Sequence, residues 1–115
     1  MIIDQKKIKT WSLIGSRATF GMALLEISKD MKDLIVLSGD VSTSAGLDRF
    51  RKLQPEKYVE MGISEQNMIG VATGLSAEKF NVVTTTFAPF QTIRCCEQIK
   101  INLGYMKHKV TLVGL

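Results

Sequence analysis

Glu65 is a carboxylate at the start of a helix that is otherwise suited to a protein core. The predicted helix runs from Ser64 to about Glu78 (SEQNMIGVATGLSAE), and most of its side chains are apolar or small. A charged residue at that position requires an explanation, and the sequence pattern is compatible with two. Glu65 either lies at an exposed N-terminus, where it favours the helix dipole, or is a buried carboxyl group with a chemical role.

Polar and aromatic residues also follow the predicted strands. Asp40 and Ser44 come after one apolar strand, Phe87 and Phe90 come after another, and Glu65 comes after a third. In open parallel sheets, ligands bind beyond the carboxyl ends of the strands. If these strands are neighbours, an acid, a hydroxyl cluster and two aromatic rings converge on one rim, as in a ligand pocket. The alternative is that the polar residues serve as turn and cap residues and that the aromatic rings belong to the core.

The elements that must position these residues alternate between helix and strand. Short apolar or β-branched runs predict strands over 33–40 (DLIVLSGD), 57–62 (KYVEMG), 81–87 (NVVTTTF) and 109–115 (KVTLVGL). The last of these is predicted to be buried. Helices are predicted from an N-cap at Ser16 to about Met31, from Ser64 to about Glu78, and from Pro89 to about Leu103.

Two of the helices have informative faces. The first carries an apolar stripe at spacings of three and four, formed by Phe20, Ala23, Leu24, Ile27 and Met31. The second is dense in small residues, which predicts close approach to a neighbouring backbone, at Gly70, Ala72, Gly74 and Ala77.

This order of elements predicts an α/β domain with a doubly wound, mostly parallel sheet and helices on both faces. Residues 1–15 are predicted to be a polar lead-in segment, and residues 16–115 the domain. Because no covering helix follows the last predicted strand, we expect the domain to be incomplete at its C-terminal end.

Composition narrows the function classes. With 115 residues, 45% of them hydrophobic and 23% charged, the chain is long enough for one packed domain. No apolar run is long enough to cross a membrane and no secretory signal opens the chain, so we expect a cytoplasmic protein with no membrane partner. The net charge of +4 comes without interleaved aromatic and basic residues, so no nucleic-acid partner is predicted.

Cysteine and histidine offer little chemistry. The adjacent Cys95 and Cys96 are poor disulfide partners and lack the spacing of a zinc site, which favours reduced core residues. The single histidine, His108, lies between two lysines and is predicted to occupy a solvated loop. We therefore predict no metal ligands in this chain.

Residues 39–90 (GDVSTSAGLDRFRKLQPEKYVEMGISEQNMIGVATGLSAEKFNVVTTTFAPF) resemble the pyrimidine-binding domain of transketolases. In that family a strand ends in Asp before a Ser-containing loop, G-I-x-E-[QH]-x-M opens a helix rich in small residues, and T-F-x-x-F follows the next strand. GISEQNM and TFAPF carry the resemblance, which runs from about Ser16 to the end of the chain. The short segment before it resembles the separate C-terminal subunit of split bacterial and archaeal transketolases.

The resemblance implies a thiamine diphosphate-binding fold and a role for each candidate. Glu65 would hydrogen-bond a ring nitrogen of the cofactor's aminopyrimidine and promote the tautomer that deprotonates the thiazolium carbon. Phe90 would stack on the pyrimidine and Phe87 would form a second wall, while Asp40 and Val41 would lie near the thiazolium ring. Sharing a proton requires a dry site, which the apolar flanks of Glu65 fit, namely Ile63, Met68 and Ile69.

Two positions match residues that hold the substrate phosphate in the family. One is Arg17, in the first turn of its helix, where backbone N–H groups add affinity for anions, and the other is Ser44. A surface arginine without that role is the alternative. One departure from the family concerns the pocket wall, because Ile93 and Arg94 occupy the region where many transketolases carry a further aromatic residue.

The implied reaction is transfer of a two-carbon ketol unit between phosphosugars. A partner domain or subunit would hold the diphosphate and Mg²⁺, so this chain would supply half an active site within a homodimer or a heterotetramer. Two alternatives stay open: an enzyme similar to deoxyxylulose-phosphate synthase, which condenses pyruvate with a triose phosphate, and a non-catalytic α/β module that binds a partner. The presence of Glu65 together with Phe90 favours an enzyme over a scaffold.

Overall fold

The core of the molecule is a four-stranded, all-parallel sheet. The computed structural model describes residues 3–115, and its strands are β1 (Leu34–Ser38), β2 (Tyr58–Glu60), β3 (Asn81–Thr86) and β4 (Val110–Gly114). They lie in the order β2-β1-β3-β4, with every neighbouring pair parallel. The predicted parallel α/β sheet is confirmed, and so is the position of each predicted strand.

Helices precede, connect and flank the strands. Their bounds are α1 (Gln5–Ile14), α2 (Ser16–Asp30), α3 (Asp48–Leu53), α4 (Glu65–Ala77), α5 (Ala88–Gln91) and α6 (Cys96–Gln98). A single 3₁₀ turn covers Pro55–Lys57, and a π-helical segment, Ile99–Tyr105, continues α6.

Alternate residues of β1 bury opposite faces of the sheet, as a period of two requires. Leu34 and Val36 pack against α2 and the segment leading to α3, in a cluster that includes Leu24, Leu47 and Phe50. Leu37 packs on the other face against α4, through Met68 and Ala72. The prediction of helices on both faces is therefore confirmed, and α4 is fixed against one face of the sheet.

Two glycine residues, Gly21 and Gly46, allow α2 to pack closely against the loop that follows β1. A Cβ atom at Gly21 would lie 1.9 Å from the carbonyl oxygen of Gly46, and one at Gly46 would lie 2.6 Å from that of Arg17. Gly46 also has a φ of +71°, which glycine adopts without steric cost. These two contacts place residues 41–47 against the N-terminal half of α2.

The structure differs from the sequence predictions in several details. The lead-in contains a helix, α1, which Asp4 caps by accepting a hydrogen bond from the Lys7 backbone N–H at 2.8 Å. The N-cap of α2 is Gly15, so Ser16 is the first helical residue and makes no cap hydrogen bond. The edge strand β4 is only partly buried, since one of its faces is open.

The predicted helix from Pro89 to Leu103 is broken into α5, an irregular turn, α6 and the π-helical segment. Side chains compete for the carbonyl groups at the break. The Thr92 hydroxyl donates to the Ala88 carbonyl at 2.8 Å, and the Cys95 thiol donates to the Phe90 carbonyl at 3.1 Å.

The small residues of α4 were predicted to allow close approach to a neighbouring backbone, and for most of these residues the prediction is wrong. Ala72 is buried, but Gly70, Gly74 and Ala77 are exposed, and no atom lies within 4 Å of a Cβ built at either glycine. The small residues therefore do not bring α4 close to another backbone within this chain.

Candidate functional site

The ends of three neighbouring strands meet at one edge of the sheet. Ser38 at the end of β1 is paired with Glu60 of β2 and with Thr85 of β3, so the segments that follow these strands lie side by side. The expectation that acids and two aromatic rings converge on one rim is confirmed, but the hydroxyl group found there belongs to Thr86 and not to the predicted cluster around Ser44. A cavity of about 120 Å³ lies there, lined by Gly39, Asp40, Val41, Ile63, Glu65, Thr86, Phe87 and Phe90.

Glu65 is buried at the first position of α4. Only 3% of the residue is exposed, so the interpretation of an exposed helix terminus is wrong. Its Oε2 atom accepts a hydrogen bond from Nη1 of Arg94 at 2.9 Å, which forms an ion pair with one buried and one half-exposed partner. Such a pair is charge-assisted and holds the carboxyl group in a fixed orientation.

The dry environment expected around Glu65 is present on its inner side only. Met68 and Ile69 are completely buried beside it, whereas Ile63 is 74% exposed. Ile63 therefore lies at the mouth of the cavity in this chain and does not form part of the core.

Two aromatic rings form a wall of the cavity. Phe87 and Phe90 meet edge to face, with ring centroids 6.2 Å apart and an angle of 85° between their planes. The guanidinium carbon of Arg94 lies 3.8 Å from the centroid of the Phe90 ring, which is a cation–π contact. Arg94 thus touches both the carboxyl group and the aromatic wall.

The floor of the cavity depends on Gly39. A Cβ atom there would come within 3.2 Å of the Thr86 side chain and 3.6 Å of Cγ of Glu65. The Thr86 hydroxyl oxygen is buried and has no hydrogen-bond partner within the described residues. A buried carboxyl group, an unpartnered hydroxyl and two aromatic rings therefore surround one small cavity, and apolar walls with a few polar groups are typical of ligand pockets.

Glu60 joins the two loops that border the cavity. Its Oε1 atom accepts hydrogen bonds from the backbone N–H groups of Asp40 at 2.7 Å and Gly62 at 3.2 Å, and its Oε2 atom accepts one from the Tyr58 hydroxyl at 2.5 Å. Burial by itself raises the pKa of Glu60, but these hydrogen bonds outweigh it and hold the pKa below its ordinary value. Burial, followed by the bond to the neighbouring Glu60 carboxylate, raises the pKa of Tyr58.

Asp40 and Val41 hold different positions at the rim. Asp40 is exposed and has a φ of +59°, a left-handed conformation that aspartate tolerates better than most residues. Val41 is buried and belongs to the cluster beneath α2. Both line the cavity, so the five residues predicted to bind the cofactor lie together: Asp40, Val41, Glu65, Phe87 and Phe90.

The two predicted phosphate ligands lie outside that cavity. Arg17 is exposed in the first turn of α2 and lines a separate cavity of about 290 Å³ beside the end of β4. Ser44 lies in the loop that Gly46 seats against α2, and it is half-buried. The structure brings the backbones of their segments together but records no contact between the two side chains.

Sequence reasoning missed the roles of Arg94 and Glu60. No periodic pattern links Arg94 to Glu65, because the contact depends on the break between α5 and α6. A signal for Glu60 did exist, since it ends a strand that neighbours the one before Asp40.

Among residues 3–115, no group of three or more histidine, cysteine, aspartate or glutamate side chains is arranged to hold a metal ion. In the same part of the chain, no helix combines the length and hydrophobicity needed to span a membrane.

The fold and the site define an α/β domain with a cavity beyond the carboxyl ends of its parallel strands, where such domains bind ligands. Within that class, a sequence model described as "Transketolase, pyrimidine binding domain" matches residues 13–115. The chain therefore belongs to the transketolase family, and the predicted resemblance is confirmed.

Individual relatives agree with this assignment. The chain is 33% identical to one subunit of the apulose-4-phosphate transketolase of Phocaeicola vulgatus, over 90% of this chain and 33% of that protein. It is 36% identical to a putative transketolase C-terminal section of Methanocaldococcus jannaschii, over 87% of this chain and 32% of that protein. The chain thus spans about a third of the length of these curated relatives.

A solved structure shares the fold. It is described as a split gene transketolase, an inactive beta4 tetramer, and it superposes with a TM-score of 0.75 at 37% identity. The superposition covers 83% of this chain and 32% of the other. The relatives named as subunits or sections show that this domain also occurs in split transketolases.

Proposed function

We propose that this chain is the pyrimidine-binding part of a thiamine diphosphate-dependent transketolase. The observation that carries the proposal is the convergence of buried Glu65 with Phe87 and Phe90 around one cavity at the carboxyl edge of the sheet. The donor set fits an aminopyrimidine ring, which offers nitrogen atoms to a carboxyl group and a flat face to an aromatic wall. Membership of the transketolase family supports the same proposal from the sequence.

In this proposal each side chain has a defined task. The Glu65 carboxyl group binds a ring nitrogen of the pyrimidine and shares a proton with it, and Phe90 supplies the face on which the ring stacks. Phe87 holds Phe90 in place through their edge-to-face contact. When bound, thiamine diphosphate supplies a carbon nucleophile that carries the two-carbon ketol unit between phosphosugars.

A partner completes the site in this proposal. The diphosphate and Mg²⁺ belong to a second domain or protein chain, and the two halves meet in a homodimer or a heterotetramer. The names of the relatives, which include separate transketolase subunits, support such an assembly. Arg17 and Ser44 grip the substrate phosphate from the N-terminal end of α2, where backbone N–H groups also favour an anion.

The substitution Glu65→Gln tests the proposal. The chain is assembled with a diphosphate-binding transketolase subunit, and ketol transfer is assayed at saturating cofactor. The amide preserves the size of the side chain but cannot share a proton, so we expect turnover to fall by at least about a hundredfold. The far-ultraviolet circular dichroism spectrum should be unchanged, because the cavity keeps its shape.

Glu78→Gln is the matched control, since Glu78 is an exposed glutamate at the other end of the same helix. It should retain normal turnover. Near-normal turnover of Glu65→Gln would remove Glu65 from the mechanism. Use of pyruvate instead of a ketose phosphate as donor would replace ketol transfer with the reaction of a deoxyxylulose-phosphate synthase.

A further inference from the structure

Arg94 makes the two contacts that the proposed function reserves for the cofactor ring. Its guanidinium group lies 3.8 Å from the centroid of the Phe90 ring, and its Nη1 atom donates to Oε2 of Glu65 at 2.9 Å. A face of Phe90 that carries one flat group is closed to a second. One of the two carboxyl oxygens of Glu65 is engaged as well, so Arg94 contacts both residues that the proposed function assigns to the ring.

The chemistry of the guanidinium group explains why it fits there. It is planar, it presents N–H donors in a rigid fork to a carboxylate, and it stacks on aromatic faces. An aminopyrimidine is likewise flat and stacks on aromatic faces, and its ring nitrogen donates an N–H to a carboxylate when it is protonated. A site built to take one of these groups therefore accepts the other.

The side chain of Arg94 and the backbone around it are held by separate contacts. The backbone is anchored separately, since its carbonyl oxygen accepts a hydrogen bond from Nε2 of Gln66 at 2.9 Å. The side chain is 42% exposed and borders a cavity of about 350 Å³ on the outer side of Glu65. That cavity provides room for the guanidinium group to swing outwards while the backbone stays in place.

We propose that Arg94 is an internal ligand of the pyrimidine pocket, which occupies Phe90 and Glu65 in the cofactor-free chain and is displaced when the cofactor enters. The inference rests on the proposed function, because it takes these two residues as the cofactor's anchor points. It makes Arg94 a determinant of cofactor affinity. The cofactor must break the ion pair and the cation–π contact before it can make its own contacts.

The test uses the complete chain and 4-amino-2-methylpyrimidine as the probe. The probe is titrated into isotopically labelled protein at millimolar concentrations, and its Kd is obtained from amide chemical shifts. We expect Arg94→Ala to bind the probe about tenfold more tightly than the wild type, the factor that corresponds to one charge-assisted hydrogen bond no longer being displaced. Arg51→Ala is the matched control, since Arg51 is an exposed arginine on α3 that pairs with Asp48 away from the pocket.

Removing Arg94 leaves the buried Glu65 without its partner, which destabilises the fold. Arg94→Gln serves as the second variant, because its amide still donates a hydrogen bond while the charge is gone. It should also bind the probe more tightly. In the wild type, the Nη1 protons of Arg94 should exchange slowly with water in the free chain and rapidly at saturating probe, because Nη1 makes the bond to Glu65.

Each outcome is decisive. Equal affinities in the wild type and both Arg94 variants, with unchanged exchange of the Arg94 Nη1 protons at saturation, overturn the displacement and leave the proposed function standing. Weaker binding in the variants overturns it as well, since Arg94 would then remain in the pocket as part of the cofactor site. Absence of binding in every variant overturns both this inference and the proposed pyrimidine site.

Discussion

At the residue scale, a single carboxylate fixes the shape of the rim. Glu60 binds the backbone N–H groups of Asp40 and Gly62, and these belong to the two loops on either side of the cavity. The first of these bonds holds the backbone of Asp40, which adopts a left-handed conformation. Glu60 therefore acts as a positioning residue, since it does not line the cavity itself.

The lowered pKa of Glu60 predicts a pH dependence of stability. A carboxyl group whose folded pKa is depressed stabilises the fold at pH values above its unfolded pKa, and the contribution is lost as the pH falls through the folded pKa. We expect Glu60→Gln to lower the free energy of unfolding at pH 7 by at most about 1 kcal/mol, because the group is largely exposed. Urea unfolding should show this difference shrinking as the pH falls below the ordinary value of 4.5.

Glu56→Gln is the control for this measurement, since Glu56 is an exposed glutamate of the neighbouring 3₁₀ turn. Its effect should be small at every pH. A Glu60→Gln difference that persists unchanged at low pH would show that the carboxylate is not the group that holds the loops.

The sequence predicted which residues line the cavity but not what occupies it. Asp40, Glu65 and Phe87 were found because each follows a strand, and the ends of parallel strands meet at one edge. In the sequence, Arg94 differs from the family only in replacing part of an aromatic pattern. Its contact with Glu65 joins residues that are 29 positions apart, and it depends on the irregular turn after α5, which no local propensity specifies.

At the element scale, two helices carry glycine in opposite environments. Gly21 of α2 lies against the backbone of Gly46, whereas Gly70 of α4 is exposed and has no atom near its missing side chain. The first is needed for the packing that places the loop after β1. The second costs helix stability without any contact in this chain to offset it.

The substitutions Gly21→Ala and Gly70→Ala should therefore change stability in opposite directions. In Gly21→Ala the new methyl group meets the Gly46 carbonyl oxygen, so we expect a loss of about 1–3 kcal/mol or more in the free energy of unfolding. In Gly70→Ala we expect a gain of about 0.5–1 kcal/mol from better helix propensity. Urea denaturation of the dilute chain measures both, with each variant as the control for the other.

A loss of stability in Gly70→Ala would contradict the exposed position and would show that another backbone covers this face of α4 in solution. The sequence could not decide this point. Small residues indicate that close packing is sterically allowed, but Gly70, Gly74 and Ala77 lie on the side of α4 that faces away from the sheet. Strands were easier to predict, because β1 and β3 are continuous apolar or β-branched runs that only a covered sheet accommodates.

At the scale of the whole molecule, the chain presents a pocket for a ring and leaves broad apolar surface uncovered. A groove of about 740 Å³ runs between α2 and the open face of β3 and β4, and Ile63 and Ile93 are largely exposed near the rim. Exposed apolar surface of this extent is typical of interfaces. It agrees with the assembly proposed for the chain, in which a second domain or protein chain meets this one at the active site.

The division of the site predicts how the chain alone discriminates between thiamine and thiamine diphosphate. The pocket provides a carboxyl group and aromatic walls, while the donor clusters that Mg²⁺ prefers were not found among residues 3–115. If a partner supplies the diphosphate site, the two phosphates of thiamine diphosphate add little binding free energy in the isolated chain.

We therefore expect the isolated chain to bind both compounds weakly, with Kd values that agree within a factor of about three in the presence of Mg²⁺. Isothermal titration calorimetry of the same preparation with each compound gives the ratio directly, and Glu65→Gln should weaken both to the same extent, because the carboxyl group touches only the shared ring. Micromolar binding of thiamine diphosphate, with thiamine far weaker, would place a diphosphate site on this chain, for which the exposed guanidinium of Arg17 would be the first candidate to substitute.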